Sequence, residues 1–207
     1  MIGMPRAVDQ PTLDYYKTHA PTYRLDSAQG PHRHLSSFLK RLAPSVRVLE
    51  LGCGTGLDSA QIAAQGFDLD ATDGVDAMAQ RARERTGLAV RVLRFDELRA
   101  EKAYDAVWAH ACLLHLPRAA LLDVLIRIHR ALVPGGWHFA NYKLGDADHR
   151  DEGRDPLGRW TNLPSPDWLE SCYCQAGFLI EEAEIYRGNG SDGVVRDWLA
   201  LTVRRPE

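Results

Sequence analysis

The residues best placed to do chemistry fall into two groups. Glu50, Gly52, Gly54 and Gly56 stand at alternate positions in V-R-V-L-E-L-G-C-G-T-G (46–56), and Asp73 follows 17 residues after Gly56. Without a Cβ the backbone can turn sharply and approach a ligand, and a helix starting near Leu57 points its free N–H groups into that turn. An acid at the end of the next strand can accept bonds from both hydroxyls of a ribose; Asp73 also reads as a helix N-cap. The second group is His110 and His115. An imidazole titrates near neutrality, so both are candidate bases, although His115, flanked by Leu113, Leu114 and Leu116, also reads as a packed structural ring.

These residues need rigid elements to hold them. Val46, Val48, Leu49 and Leu51 form a short β-branched-rich run suited to a strand buried on both faces of a parallel sheet. A helix from about Leu57 ends at Gly66, a second strand runs from Phe67 to Thr72, and further strands are expected at Leu88–Leu93, Tyr104–His110 and Trp137–Tyr142. Pro117 opens a helix with Leu121, Leu125, Ile128 and Leu132 on one face, and V-P-G-G (133–136) turns the chain into the fifth strand. Before the first strand, Thr12 is expected to cap a helix striped by Leu13, Tyr16, Ala20 and Tyr23. A second helix follows Gly30-Pro31 and carries Leu35, Phe38, Leu39 and Leu42. After the fifth strand, 143–164 is polar, with Gly145, Asp146, Asp148, His149, Arg150, Asp151, Arg154 and Arg159, long enough for a binding loop or lid. Ser165-Pro166-Asp167 starts the last helix, and R-G-N-G-S-D-G separates two strands, Phe178–Ile185 and Val194–Val203, as an antiparallel hairpin.

The spacing argues against a dinucleotide fingerprint, since Leu57 stands where the third glycine of G-x-G-x-x-G would fall. The stretch instead resembles E-x-G-x-G-x-G, the first motif of the class I S-adenosylmethionine-dependent methyltransferases. Asp73, the L-x-P-G-G element and the N-terminal Y-x-x-x-A-x-x-Y are similar to that family as well. The resemblance implies a Rossmann-like α/β fold: a doubly wound, mostly parallel seven-stranded sheet in order 3-2-1-4-5-7-6 with a C-terminal antiparallel hairpin. It implies a single domain over 1–207, divided into a helical cap (1–44), a cofactor-binding core (45–142), a lid (143–164) and a C-terminal helix and hairpin (165–207).

The resemblance also implies site residues for S-adenosylmethionine. Gly52, Gly54 and Gly56 would accommodate its methionine part, Glu50 its amino group and Asp73 its ribose. Gly74, Met78, Phe95 and either Asp96 or Glu97 would lie at the adenine, and Ala109 beside the cofactor. Tyr16 and Tyr23 would close over the sulfonium, ordering on binding because the segment has little else to pack on; simple helix packing remains the alternative for each. His115 and Tyr16 are the catalytic candidates, and His110, Lys143 and Arg159 the acceptor-side ones, with the two cations, and Arg154 less so, able to clamp an anion.

Composition narrows the partners. A net charge of -3 gives no field for collecting polyanions, so nucleic acid and anionic membrane are not expected. No apolar run approaches the ~18 residues of a membrane span, and no N-terminal apolar core marks an export signal. Four cysteines, at 53, 112, 172 and 174, fit neither a disulfide scaffold nor a zinc site, so no metal is expected and a reduced, cytoplasmic setting is. The expected activity is methyl transfer to a small-molecule acceptor by a monomer or homodimer. The competing readings are an NAD(P)-dependent oxidoreductase on the same kind of sheet and a cofactor-binding module without catalysis.

Overall fold

A computed structural model describes residues 8–23, 32–145 and 151–207. Seven strands form the main sheet: β1 (Arg47–Leu51), β2 (Asp68–Asp73), β3 (Val90–Val92), β4 (Tyr104–Ala109), β5 (Leu132–Lys143), β8 (Leu179–Asn189) and β9 (Val195–Arg204). Their order is β3-β2-β1-β4-β5-β9-β8, parallel from β3 to β5 and antiparallel through β9 and β8. This is the expected topology. Only the labels shift, because β6 (Glu152–Arg154) and β7 (Trp160–Asn162) make a separate antiparallel pair inside the polar stretch after β5.

Strand alternation sends successive side chains to opposite faces, and both faces are covered, which is why the central strands read as continuous apolar runs. On one face Val48, Ala106, Trp108, Phe139 and Ala200 pack against Leu35, Phe38 and Leu39 of α2 (Leu35–Leu39) and Ile62 of α3 (Leu57–Ala64). Trp108 stacks on Phe139 with centroids 4.2 Å apart. On the other, Leu49, Leu51, Val107, Ala109, Ala140 and Tyr142 meet the stripes of α5 (Arg118–Ala131) and α6 (Pro166–Gln175). Each large apolar side chain so buried stabilises the sheet by roughly 1.5–3 kcal/mol. Toward the β3 edge, Ala79 and Ala82 of α4 (Asp76–Thr86) pack on Ala71 and Val90.

Several local expectations are corrected. The first helix, α1 (Gln10–His19), is capped by Asp9, whose carboxylate accepts from Thr12 N and Thr12 Oγ1; Thr12 lies inside the helix and is buried. Helix α2 is a single short turn-and-a-half, and Gly30-Pro31, expected to precede it, lie outside the described residues. Strand β3 keeps only three residues. The V-P-G-G segment is drawn into β5 as a bulge: Tyr104 pairs with Leu132 while Ala106 pairs with Trp137, and Gly135 takes φ +76° to let the extra residues out. Of the polar stretch, Asp146, Asp148, His149 and Arg150 lie outside the described residues.

Candidate functional site

The parallel strands β1, β2 and β4 all point their carboxyl ends at one cavity of about 510 Å³. A crevice at the switch in strand order is where open α/β sheets bind ligands. Its floor is the glycine loop. Gly52 has φ +67° and passes so close to the segment after β4 that an added Cβ would come within 2.5 Å of Cys112 Cβ. Gly56, at φ +78°, is pressed against α4 in the same way, with Thr86 Cγ2 2.8 Å from where a Cβ would stand. The loop is therefore glycine-built because backbone curvature and close approach both require it.

Two buried carboxyls stand at this floor. Asp73 Oδ2 accepts from Gly54 N and Oδ1 from Val75 N, each at 2.9 Å, so the acid at the end of β2 ties the glycine loop to the residue that precedes α4. Each carboxylate oxygen keeps a second lone pair for a ligand hydroxyl. Burial pushes the Asp73 carboxyl up to about 6 against those two N–H groups. Glu50 receives a hydrogen bond from Ser59 Oγ, yet burial, reinforced by Asp58 and Asp73, lifts its carboxyl to about 8. Next to them, Asp58 accepts from His32 N (2.8 Å) and Trp108 Nε1 (2.8 Å) and lies 3.1 Å from His110 Nδ1. Burial alone would raise Asp58, but these bonds hold it below the usual carboxylate range. His32 stacks on His110 with centroids 3.7 Å apart, and burial followed by the charge of His110 pushes it down to about 2.

The opposite wall comes from α1, the turn after β4, β5, the β6–β7 hairpin and the β8–β9 turn. His115 Nδ1 is 2.6 Å from Trp160 O, and its Nε2 is 2.8 Å from Tyr16 Oη. Arg159 Nη1 donates to the same Tyr16 oxygen at 2.9 Å and to Ser191 Oγ at 2.8 Å, while Nε and Nη2 hold Asp155. Lys143 Nζ is paired with Asp192 at 2.6 Å. Burial presses His115 down to about 4, with Arg159 and Lys143 adding to the effect against the pull of the Trp160 carbonyl. Tyr16 is raised well above the usual phenol range by burial and by Tyr23.

The cavity thus brings together Glu50, Gly52, Gly54, Asp73, Gly74, Met78, Phe95, Tyr16, Tyr23, His110, His115, Lys143 and Arg159 from the sequence reading. Gly56 shapes the loop without lining it. Asp96, Glu97 and Ala109 are corrections. Asp96 and Glu97 fold back onto Arg94 in a single 3-10 turn, and Ala109 faces the α5 side of the core, fully buried, while its successors His110 and Ala111 reach the cavity. Arg154 lies away from the cavity and binds Asp9 instead. Asp58, His32, Asn141, Ser191 and Tyr186 line it without having been singled out. Asp58 reads in sequence as an ordinary first-turn acid, and Ser191 as turn chemistry; only their approach to distant side chains gives them a role. Among the described residues no cluster of His, Cys, Asp or Glu could hold a metal, and no helix is long and apolar enough to cross a membrane.

A sheet in this order, with a glycine loop and two acids under a cleft at its switch point, defines the class I methyltransferase fold. Residues 48–136 match the family model described as a methyltransferase domain. In fold, and over residues 48–136 in sequence, the chain is similar to the class I S-adenosylmethionine-dependent methyltransferases. It is 34% identical over 139 residues to the ubiquinone biosynthesis O-methyltransferase of Xylella fastidiosa strain M23, covering 63% of this chain and 54% of that one. The chain spans about half the length of that relative and less of some others. Among solved structures it superposes on the Burkholderia thailandensis 1,6-didemethyltoxoflavin-N1-methyltransferase, which holds its substrate and S-adenosylhomocysteine, with a TM-score of 0.76 at 20% identity over 100% of this chain and 94% of that one. It is similar in the same way to the [4+2]-cyclase SpnF, with a TM-score of 0.74 at 18% identity over 99% and 98% of the two chains.

Proposed function

We propose that this chain binds S-adenosylmethionine and transfers its methyl group to a small-molecule acceptor. The observation that carries the reading is one continuous cavity in which the glycine loop, Glu50 and Asp73 face the polar wall of Tyr16, His115 and Arg159. On this reading the loop at Gly52 and Gly54 lies against the methionine part, Glu50 takes the ammonium, Asp73 the ribose hydroxyls, and Gly74, Met78 and Phe95 the adenine. The cofactor would supply a sulfonium methyl, already activated, whose transfer leaves behind a neutral thioether. The protein's part is then to exclude water and hold the acceptor at attack distance, where effective molarities of ~10⁵–10⁸ M come from orientation. The cap, lid and C-terminal segments are proposed to shape the acceptor side. SpnF and the Burkholderia methyltransferase share the fold with different chemistries, so the acceptor is argued from the wall itself.

Calorimetry with S-adenosylhomocysteine tests the donor side. Wild type binds, and Asp73→Ala loses about tenfold or more, since a charge-assisted bond contributes roughly 1.5–3 kcal/mol. Equal affinity in a folded Asp73→Ala protein would refute the assignment.

A further inference from the structure

Strand register gathers an uneven charge balance on the wall opposite the donor side. Lys143 of β5 stands opposite Trp198 of β9, and Trp198 opposite Tyr186 of β8, so the three form one row on one face of the sheet. All three line the cavity. The turn joining β8 to β9 closes around the end of the lysine: a Cβ added at Gly190 would stand 2.8 Å from both Lys143 Cε and Nζ. The ammonium is held 2.6 Å from Asp192 Oδ2, its side chain only 3% exposed.

The pairing is not one to one. Arg196 Nη2 donates to the same Oδ2 at 3.4 Å, and Arg196 Nε, also buried, has no hydrogen-bond partner among the described residues. Arg159 has Asp155 to itself at 2.6 Å. Lys143, Arg159 and Arg196 therefore face Asp155 and Asp192, three described cations against two carboxylates, with one positive charge in excess. Burial, with Arg196 and Arg159 adding to it, holds the Lys143 ammonium below the usual lysine range against the pull of Asp192. An anion entering beside Lys143 balances this wall instead of being stranded in it. Of the two cations expected to clamp an anion, Arg159 is matched and Lys143 carries the surplus.

The hydrogen bonds of the wall point the same way. A backbone N–H only donates, so Ala111 N, at 2.7 Å, fixes Asn141 Oδ1 as its acceptor and leaves Asn141 Nδ2 to donate to Tyr186 Oη at 2.9 Å. The Tyr186 hydroxyl thus receives a bond and keeps its own hydrogen, for which no described residue supplies an acceptor. Ser191 Oγ, receiving from Arg159 at 2.8 Å, is in the same position. Beside these donors the rings of Tyr186 and Trp198, 17° from parallel, supply apolar surface.

We infer that this wall is a subsite for a carboxylate of the methyl acceptor, with Lys143 as its cation, Tyr186 and Ser191 as further donors, and the rings of Tyr186 and Trp198 against the flat apolar body that carries it. The inference deepens the methyl-transfer reading and rests on it. A single excess charge suits a monoanion, whereas a phosphate monoester brings close to two negative charges at neutral pH. A carboxylic acid is already ionised when it enters, so its capture asks no proton transfer of the wall.

The test uses the wild-type protein saturated with S-adenosylhomocysteine, so that the donor side is filled, and titrates it calorimetrically with benzoate, benzamide and phenyl phosphate. Benzoate should bind about tenfold or more tighter than benzamide, its neutral isostere, and tighter than phenyl phosphate, because a charge-assisted bond replaces a neutral one. Lys143→Met should abolish the preference for benzoate over benzamide while leaving affinity for S-adenosylhomocysteine unchanged. The variant should fold, since Asp192 keeps Arg196 and the charges of the wall then balance. No binding of benzoate, equal binding of benzoate and benzamide, tighter binding of phenyl phosphate, or a Lys143→Met protein that keeps the preference would overturn the subsite. Loss of S-adenosylhomocysteine affinity in Lys143→Met would overturn it too, by assigning the lysine to the donor's own carboxylate. Failure of the wild type to bind S-adenosylhomocysteine would instead overturn the methyl-transfer reading beneath it, and the subsite with it.

Discussion

Glu50 keeps its proton at neutral pH because burial beside Asp58 and Asp73 lifts its carboxyl to about 8. The folded value exceeds the unfolded one, so the stability it contributes is complete below about pH 4.5 and is lost as pH rises through 8. An ammonium placed against it reverses the preference, since an opposite charge favours the carboxylate. Binding of the proposed donor at pH 7 should therefore release close to one proton, giving binding enthalpies that differ between phosphate and Tris buffers. Glu50→Gln should bind more weakly and erase the difference; a buffer-independent enthalpy in wild type would sink the idea. At this scale the sequence was readable where one residue had one job. Asp73 was legible from its place at a strand end, although its carboxylate anchors the loop through Gly54 N and Val75 N and makes no cap bond into α4, so the N-cap alternative does not hold. Ala109 was misplaced because alternation turns on a single residue, and the cavity begins one position later. Asp96 and Glu97 were misplaced because a local ion pair with Arg94 competes for them.

Helix α1 was expected to wait for a ligand, but it is already latched to the β6–β7 hairpin. Arg154 grips Asp9 with both amino groups, Trp160 N donates to Thr12 Oγ1 at 2.7 Å, and Arg159 reaches Tyr16. Leu13, Tyr16 and Tyr23 also pack around Ala20, Val75 and Met78. The hairpin escaped the sequence reading because its strands, E-G-R and W-T-N, are three residues each, too short for apolar alternation to mark them. Thr12→Val keeps the helix shape and removes an acceptor, leaving the Trp160 N–H unpaired at a cost of about 1–3 kcal/mol. Chymotrypsin should then cut after Tyr15 and Tyr16 faster than in wild type, with or without S-adenosylhomocysteine, while the thermal midpoint of the core changes little. Equal cleavage rates in the two proteins would mean that the latch contributes nothing.

Taken whole, the sheet was the most legible feature, since glycines, prolines and apolar runs alternate along the chain with the period of βα units, and a buried parallel strand leaves little room for polar exceptions. One exception lies in the middle of β5. His138 is wholly buried, donates from Nδ1 to Val107 O at 3.0 Å, and is pushed down to about 4 by burial. Its folded value lies below the unfolded one, so its contribution is intact above about pH 6.5 and is lost as pH falls through 4. Between pH 6.5 and 4.5 wild type should lose about 2–3 kcal/mol more in urea melts than His138→Leu, and parallel acid limbs would refute this. The cleft at the sheet's end has a different kind of consequence. Its floor is written in residues 50–78, whereas the facing wall is written in 110–115, 141–143, 155–160 and 186–198 with the first helix. Lineages descended from such a chain can rewrite one passage and inherit the other intact. A graft that replaces the β8–β9 turn, with its Ser191 and Asp192, should change which acceptor is accepted while leaving the donor's dissociation constant where it was.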